Sequence, residues 1–442
     1  MASAYCISFS QIDTINNDIQ AKVYNSKSTE LIISRARYVD QLQGFWLGQS
    51  IGNWTGIITE MDKIGIPVNG KGGGFYVYDD WGKKDEPNIW STSSNFKTID
   101  FNLAKADSIW GSDDDTDIEY MYQELLLENN NLNLRPDKIK DGWLKHIKND
   151  EENYLWVSNQ RAFDLMKEGV LPPDTSSPNN NEFYEMIDAQ LTTEIFGLFS
   201  PSHPEYALKI SSLPIRTVAR KDAAWISEFY VTMHSLAYSK NFNDNYKNKI
   251  MWMTENSRKI LPEDSYASKI YDFVKRKYQN NIPWEEVRDS LNQRYQVDNM
   301  DGYDVAKRDK ECGGCFAAGI NFGASLISLF YGEGDYKETI KIATLCGWDS
   351  DNPASTWGGL LGFMYGKKKI VELFKLEMSN SYNIHRTRIN FQNNGMDNFN
   401  NMANKSVQIF EKVINEEFNG SLKNNKFVFD KKQSKYLNEL EL

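Results

Sequence analysis

The chain is short of several things, and each shortage closes off a class of protein. Cysteine occurs only four times in 442 residues, without a regular framework. That fits a reducing compartment and excludes a disulfide-stapled miniprotein. Lys and Arg number 50 against 61 Asp and Glu, a formal charge of −11, whereas a general nucleic-acid binder needs a basic face for phosphate. A phosphorylated ligand stays compatible, because bound divalent cations invert the local sign. No apolar run approaches the ~20 residues of a membrane helix. The opening stretch, MASAYCISFSQIDTINND, has no basic segment, and Ser8, Ser10 and Gln11 interrupt its apolar character, so no secretory leader is expected. No internal repeat of fixed period is found. The expectation from these absences is a soluble, acidic, cytoplasmic protein that uses neither membrane nor nucleic acid.

What is present suffices for a large core: 40% hydrophobic and 13% aromatic residues. The length is about three times the ~150 residues of a typical domain. Residues 1–34 are polar and weakly periodic and read as an N-terminal arm. Residues 35–442 read as a single helical domain with an insertion at about 61–110, rich in Gly, Asp, Lys and Trp. Within it, GKGGG at 70–74 reads as a loop leading into a short strand or hairpin. Helices are predicted over 36–56, from 117 to 130 with Ile118, Met121, Tyr122 and Leu125 on one face, from Pro204, and over 315–332, 336–347 and 353–366. Alternating strands are few. The predicted class is all-α.

Three segments carry chemistry. In GSDDDTDIEYMYQELL, Asp113, Asp114, Asp115 and Thr116 stand where a loop becomes an amphipathic helix. A helix N-terminus favours negative charge, yet three adjacent carboxylates repel unless water or a hard cation neutralises them. An EF-hand is excluded, since Ile118 stands where its loop needs Gly. In CGWDSDNPASTWGGLLGFMYG, Asp349 and Asp351 flank Ser350 at a second helix start, with Asn352 expected as N-cap and Pro353 in the first helical position. In QGFWLGQSIGNWTGIITE, Gly44, Gly48, Gly52 and Gly56 form one stripe along a helix. Each Gly costs ~1 kcal/mol of helix propensity, so four of them need a packing reason. Glu60 follows just beyond.

The order of these segments resembles the ADP-ribosylglycohydrolase family, of the dinitrogenase-reductase-activating glycohydrolase type. Glu60 matches the Glu after that family's Gly-spaced helix. Asp113-Asp114-Asp115-Thr116 matches its Thr-Asp-Asp-Thr, in the register anchored by Thr116 rather than the shifted match through Ser112. Gly347-Trp348-Asp349-Ser350-Asp351-Asn352 matches its Gly-Gly-Asp-Thr-Asp-Thr. The resemblance spans roughly 36–391. Asp113, Trp348, Ser350 and Asn352 depart from the pattern, and the mid-chain segment IDAQLTTEIFGLFSP is too altered to carry ligand contacts over.

The resemblance implies a compact all-α multi-helix bundle with a two-metal site between helices. Asp114, Asp115, Asp349 and Asp351 would hold two Mg²⁺ ions, Mn²⁺ being the alternative, with Asp113 and Asn352 completing the shell. The ions would orient the ribose hydroxyls and polarise the attacking water. Glu60 would gate or polarise the substrate and Asp115 would deprotonate water. The implied activity is hydrolysis of the N- or O-glycosidic bond of ADP-ribosylated protein side chains, arginine foremost. A second reading is an immunity protein that binds and blocks an ADP-ribosyltransferase toxin through residues 1–34, with or without hydrolase activity. A third is a hydrolase of another ADP-ribose derivative.

Weaker signals read as structure. Cys312-Gly-Gly-Cys315 is a lone CxxC, expected as a Gly-rich approach to a helix rather than a zinc or thioredoxin site. Gly70–Gly74 lacks Walker spacing and reads as a loop, or as a lid over a diphosphate. His146, His203, His234 and His385 are scattered. His385-Arg386-Thr387-Arg388 is expected as a solvated turn, with a phosphate contact as the alternative. Phe75, Tyr76, Tyr78, Trp81 and Trp90 are expected in the core rather than stacked on adenine.

Overall fold

The computed structural model describes residues 30–430 apart from 92–95, 240, 241 and 243. Its principal helices are α1 (Arg35–Gly56), α2 (Asp114–Asn129), α3 (Val157–Lys167), α4 (Ala318–Gly332), α5 (Tyr336–Cys346), α6 (Asp351–Tyr365) and α7 (Phe399–Glu417). The strands are short: β1 (Glu30–Ser34), β2 (Lys63–Gly65), β3 (Gly72–Gly73), β4 (Ser381–Asn383), β5 (Met396–Asn398), β6 (Ser421–Lys423) and β7 (Lys426–Asp430). The architecture is all-α, as the periodicity predicts. No helix among the described residues is long and apolar enough to cross a membrane.

The glycine stripe of α1 has its packing reason in α6. A Cβ on Gly44 would lie 2.2 Å from the Gly362 carbonyl oxygen, one on Gly48 2.1 Å from that of Gly358, and one on Gly52 1.9 Å from that of Ala354. The two helices run antiparallel with backbone against backbone, which only residues without side chains at the seam permit. Buried Trp46, Leu47, Trp357 and Leu360 surround the seam. At its end, Gly56 meets Asp351, so the same contact carries the acidic end of α6 to the end of α1.

The start of α6 differs from expectation. The helix begins at Asp351, with Ser350 in the cap position, and Asn352 lies inside the first turn. The Ser350 hydroxyl is bound to Thr59 Oγ1 (2.9 Å) and donates to the Gly56 carbonyl (3.0 Å). Asn352 is thereby released from capping and turns its amide to Asp115 (3.1 Å). The start of α4 also differs: residues 315–317 precede it, because Gly313 and Gly314 take positive φ and Cys312 pairs with Cys315 in a disulfide.

In α2, Ile118, Met121, Tyr122 and Leu125 are buried as the spacing predicts, but so are Asp117, Glu119 and Gln123. The second face is covered by α7 and the loop around Arg388: Ser406 donates to Gln123, and Arg388 pairs with Asp117 at 2.9 Å. Residues 30–34, at the end of the expected arm, form β1 and pair antiparallel with β7, Glu30 opposite Asp430 and Ser34 opposite Lys426. The rest of the 1–34 segment on which the toxin-blocking reading falls, residues 1–29, lies outside the described residues.

Residues 61–110 run as irregular loops around β2 and β3. Gly72–Gly73 forms β3, and no hairpin follows through Phe75–Tyr78. Tyr76 is buried, Phe75 packs on Trp348 (centroids 4.8 Å) and Trp81 on Phe101 (5.1 Å), as core residues would. Tyr78 and Trp90 are exposed instead.

Candidate metal centre

Two helix starts and the turn that follows α1, from three distant parts of the chain, converge on one acidic cluster. Asp113 caps α2: its backbone is extended, and its carboxylate accepts from the Asp115 N–H (3.2 Å). Asp114 and Asp115 then occupy the first turn, where free N–H groups and the helix dipole favour carboxylates. Carboxylate oxygens of Asp113, Asp114 and Asp115 come within 4.8 Å of one another, and so do those of Glu60, Asp349 and Asp351. Asn352 joins the two groups through Asp115 (3.1 Å). All seven residues named from the sequence, Glu60, Asp113, Asp114, Asp115, Asp349, Asp351 and Asn352, therefore meet in one place.

Glu60 is held by backbone pairing between its turn and the Trp348 loop. Met61 N–H donates to the Trp348 carbonyl (2.9 Å), and Trp348 N–H to that of Lys63 (2.8 Å). Trp348 has φ +57°, a conformation that costs a bulky residue of order 1 kcal/mol and that explains a Gly in the family pattern. Its fully buried ring on Phe75 offsets that cost.

Electrostatics make this cluster unstable as a set of bare anions. Burial, followed by the charge of Asp351, raises the pKa of Glu60 and Asp115 well above the usual carboxylate range, and raises Asp113 to about 7. Asp114 and Asp349 are raised for the same kinds of reason. Asp351 Oδ1 and Asn352 Oδ1 are buried without a hydrogen-bond partner among the described residues. Clustered carboxylates with orphaned, hard oxygen acceptors are what Mg²⁺, Mn²⁺ or Ca²⁺ takes, and the donor set contains no sulfur or imidazole.

Several supporting residues carried no sequence signal. Asn53, on α1 one turn before Gly56, donates its Nδ2 to both carboxylate oxygens of Asp113 (2.9 Å each). Asn321 Oδ1 accepts from the Asp349 N–H (3.3 Å). Arg388 is almost fully buried and bonds Asp117 and the Asn153 carbonyl; this corrects the reading of 385–388 as a solvated turn, because only Arg386 and the His385 side of it remain partly exposed. Asp117 would otherwise bury an unpaired charge one turn below the cluster. His146, His203 and His234 are buried away from the cluster, and His385 alone of the four lines the cleft.

The cluster forms the floor of a cleft of about 1120 Å³. Its walls come from Asn88 and Trp90, from Asn149–Val157 and α3, from Phe183–Leu191, and from Glu311 and Phe316. The CxxC loop thus borders the cleft, though as a disulfide-closed turn. Asp309, Cys312 and Cys315 also lie close enough together to share an ion, but their sulfurs are bonded to each other.

The ADP-ribosylglycohydrolase family profile matches residues 34–391. Among solved structures, a chain described as an "ADP-ribosylglycohydrolase-related protein complex" is similar at 14% identity and a TM-score of 0.43, over 85% of this chain and 99% of that one. No curated protein matches the sequence.

Proposed function

The chain belongs to the ADP-ribosylglycohydrolase family, and from that premise we propose that it is a divalent-cation-dependent hydrolase releasing ADP-ribose from modified arginine side chains of proteins. The observation that carries the reading is the meeting of Glu60, Asp113–Asp115 and Asp349–Asp351 on one cleft floor. Asp114, Asp115, Asp349 and Asp351 would hold the cations, with Asp113 and Asn352 beside them. When bound, such ions supply charge neutralisation and Lewis-acid polarisation.

The rest is work for the chain's own residues. Asp115 would take the proton of the water that attacks the anomeric carbon as the bond to the side-chain nitrogen breaks. Glu60, set beside Asp349 at the cleft edge of the cluster, would polarise that leaving nitrogen. The rigid seam of α1 and α6 holds these groups in fixed relation, which lowers the reorganisation needed on reaching the transition state.

Release of free ADP-ribose from arginine-ADP-ribosylated protein tests the proposal. Release should require Mg²⁺, stop in EDTA and be lost in Asp115→Ala with the fold retained. Release that is indifferent to EDTA, or full activity in Asp115→Ala, would overturn it.

A further inference from the structure

The rim of the cleft can be followed contact by contact. Met61, next to Glu60, accepts from the Ile89 N–H (3.1 Å), which fixes Asn88 and Trp90 beside the Glu60 turn. Trp90 lies flat on Phe316, ring centroids 5.7 Å apart and planes 6° from parallel. The Phe316 carbonyl accepts from Ile187 (3.0 Å), and Asp188 accepts from Ser158 at the start of α3 (2.8 Å). Beyond α3, Asn153 is held by Arg388, which returns to Asp117 beneath the cluster.

The cations of the lining are unevenly placed along this circuit. Arg161, Lys167 and Arg388 all stand on the α3–Arg388 arc, interleaved there with Glu151, Glu152, Asp164 and Asp188, and each has an acidic partner: Glu182, Asp164 and Asp117 in turn. The Glu60–Trp90–Phe316 arc supplies no cation to the lining among the described residues. It supplies carboxylates, including exposed Glu311, which has no ion-pair partner among the described residues.

Core packing does not account for Trp90, which leaves 50% of its surface exposed while held parallel to another ring. Nor is the loop carrying Glu311 and Phe316 slack. The Cys312–Cys315 disulfide closes it, Asp309 Oδ2 accepts from the Gly314 N–H (2.7 Å), and Gln296 donates to the Gly313 carbonyl (3.1 Å). Glu311 and Phe316 flank that closed turn.

We propose that Trp90, Phe316 and Glu311 form the subsite for the guanidinium of the modified side chain, making this arc the determinant of arginine linkage; the proposal rests on the hydrolase reading above. A guanidinium is planar and weakly hydrated, stacks on aromatic faces and pairs with a carboxylate through parallel N–H groups. The Trp90–Phe316 arc offers a guanidinium aromatic faces and the Glu311 carboxylate, with no Lys or Arg of the lining beside them to compete among the described residues. The guanidinium arc is also the one continuous with Glu60, where the leaving nitrogen is placed.

The test compares N-acetylarginine amide with N-acetylcitrulline amide, a neutral isostere, by calorimetry on the full chain with Mg²⁺ and saturating ADP-ribose. The arginine compound should bind roughly tenfold more tightly, and Glu311→Gln and Trp90→Ala should each reduce that preference about threefold or more, with affinity for free ADP-ribose retained. Equal binding of the two compounds by the unmodified protein, no binding of either at millimolar concentration, or variants that keep the full preference would each overturn the proposal. The preference is read without turnover. A preference found in a protein that releases no ADP-ribose upholds the subsite and sinks the hydrolase; release without preference does the reverse.

Discussion

Gly56 of α1 lies so close to Asp351 of α6 that a Cβ on the glycine would sit 2.4 Å from the aspartate Cα. The packing of the two central helices and the position of an acidic cluster residue are therefore one structural fact. Three further glycines set the same approach along the seam, and the cluster inherits their precision.

Gly52→Ala should consequently cost more than its helix propensity returns. Alanine gains ~1 kcal/mol as a helix former, but its methyl would stand 1.9 Å from the Ala354 carbonyl oxygen. Overpacking of this kind costs about 1–3 kcal/mol or more when backbone must move. The expected outcome is a melting temperature lowered by several degrees together with reduced ADP-ribose release. Gly73→Ala, whose nearest neighbour would be Pro67 Cβ at 3.8 Å, should change neither. Equal melting temperatures for the two variants would remove the seam from the argument.

Asn53 offers a sharper probe of the cluster, because its side-chain hydrogen bonds to the cluster both go to Asp113. Asn53→Ala removes one donor; Asn53→Asp sets a second carboxylate against Asp113. The aspartate variant should be the more impaired at low Mg²⁺ and should recover more as Mg²⁺ is raised, since added cation offsets the added charge. Titrating activity against Mg²⁺ reads this directly. If both variants respond to Mg²⁺ like the unmodified protein, Asn53 has no hold on the site.

Much of this was legible beforehand, for identifiable reasons. Glycines spaced by four declare a close helix approach, and adjacent carboxylates at helix starts declare a cluster, because both patterns are local. What escaped depends on contacts between distant segments. Asn53 is one polar residue among several on α1 until Asp113 is brought against it. Arg388 reads as surface in a run of His385-Arg386-Thr387-Arg388, and only the burial of Asp117 gives it a partner. Asn352 looks like a cap until Ser350 is drawn to Thr59 and Gly56. Trp90 reads as a core aromatic beside Phe75, Tyr76 and Trp81, and its exposure follows from where the 61–110 loops run.

The Asp117–Arg388 pair should behave as a buried pair does. Both side chains are at most 1% exposed and 2.9 Å apart. Arg388→Ala leaves the aspartate uncompensated and should cost about 3–5 kcal/mol. Asp117→Asn combined with Arg388→Met removes both charges and should cost markedly less than the two single changes summed. Chemical denaturation of the four proteins measures it; additive losses would show that the two residues act separately.

A second buried network, below the cluster, makes stability depend on pH. Glu194 accepts from Thr356 Oγ1 (2.7 Å) and from Gln190, and lies 3.7 Å from His234 Nε2. Glu119 sits nearby, accepting from Gln49 Nε2 and the Ile195 N–H (2.6 Å each). Burial pushes Glu194 up to about 8 and His234 down to about 4, so the two face each other uncharged. Burial raises Glu119 too, and any negative charge on Glu194 would raise it further. Between the ordinary Glu value near 4.5 and about 8 the native state holds a proton that the unfolded chain has released. Stability from Glu194 is therefore lost as pH rises through that window. His234 acts oppositely and lower down, stabilising as pH rises from about 4 to 6.5, so above 6.5 only the carboxyl member of this pair still changes stability with pH. Glu194→Gln keeps the hydrogen bonds of the amide oxygen but cannot ionise. Its melting temperature should gain on that of the unmodified protein by a few degrees between pH 6.5 and 9. Parallel melting profiles across that range would mean that Glu194 is ionised in the native protein.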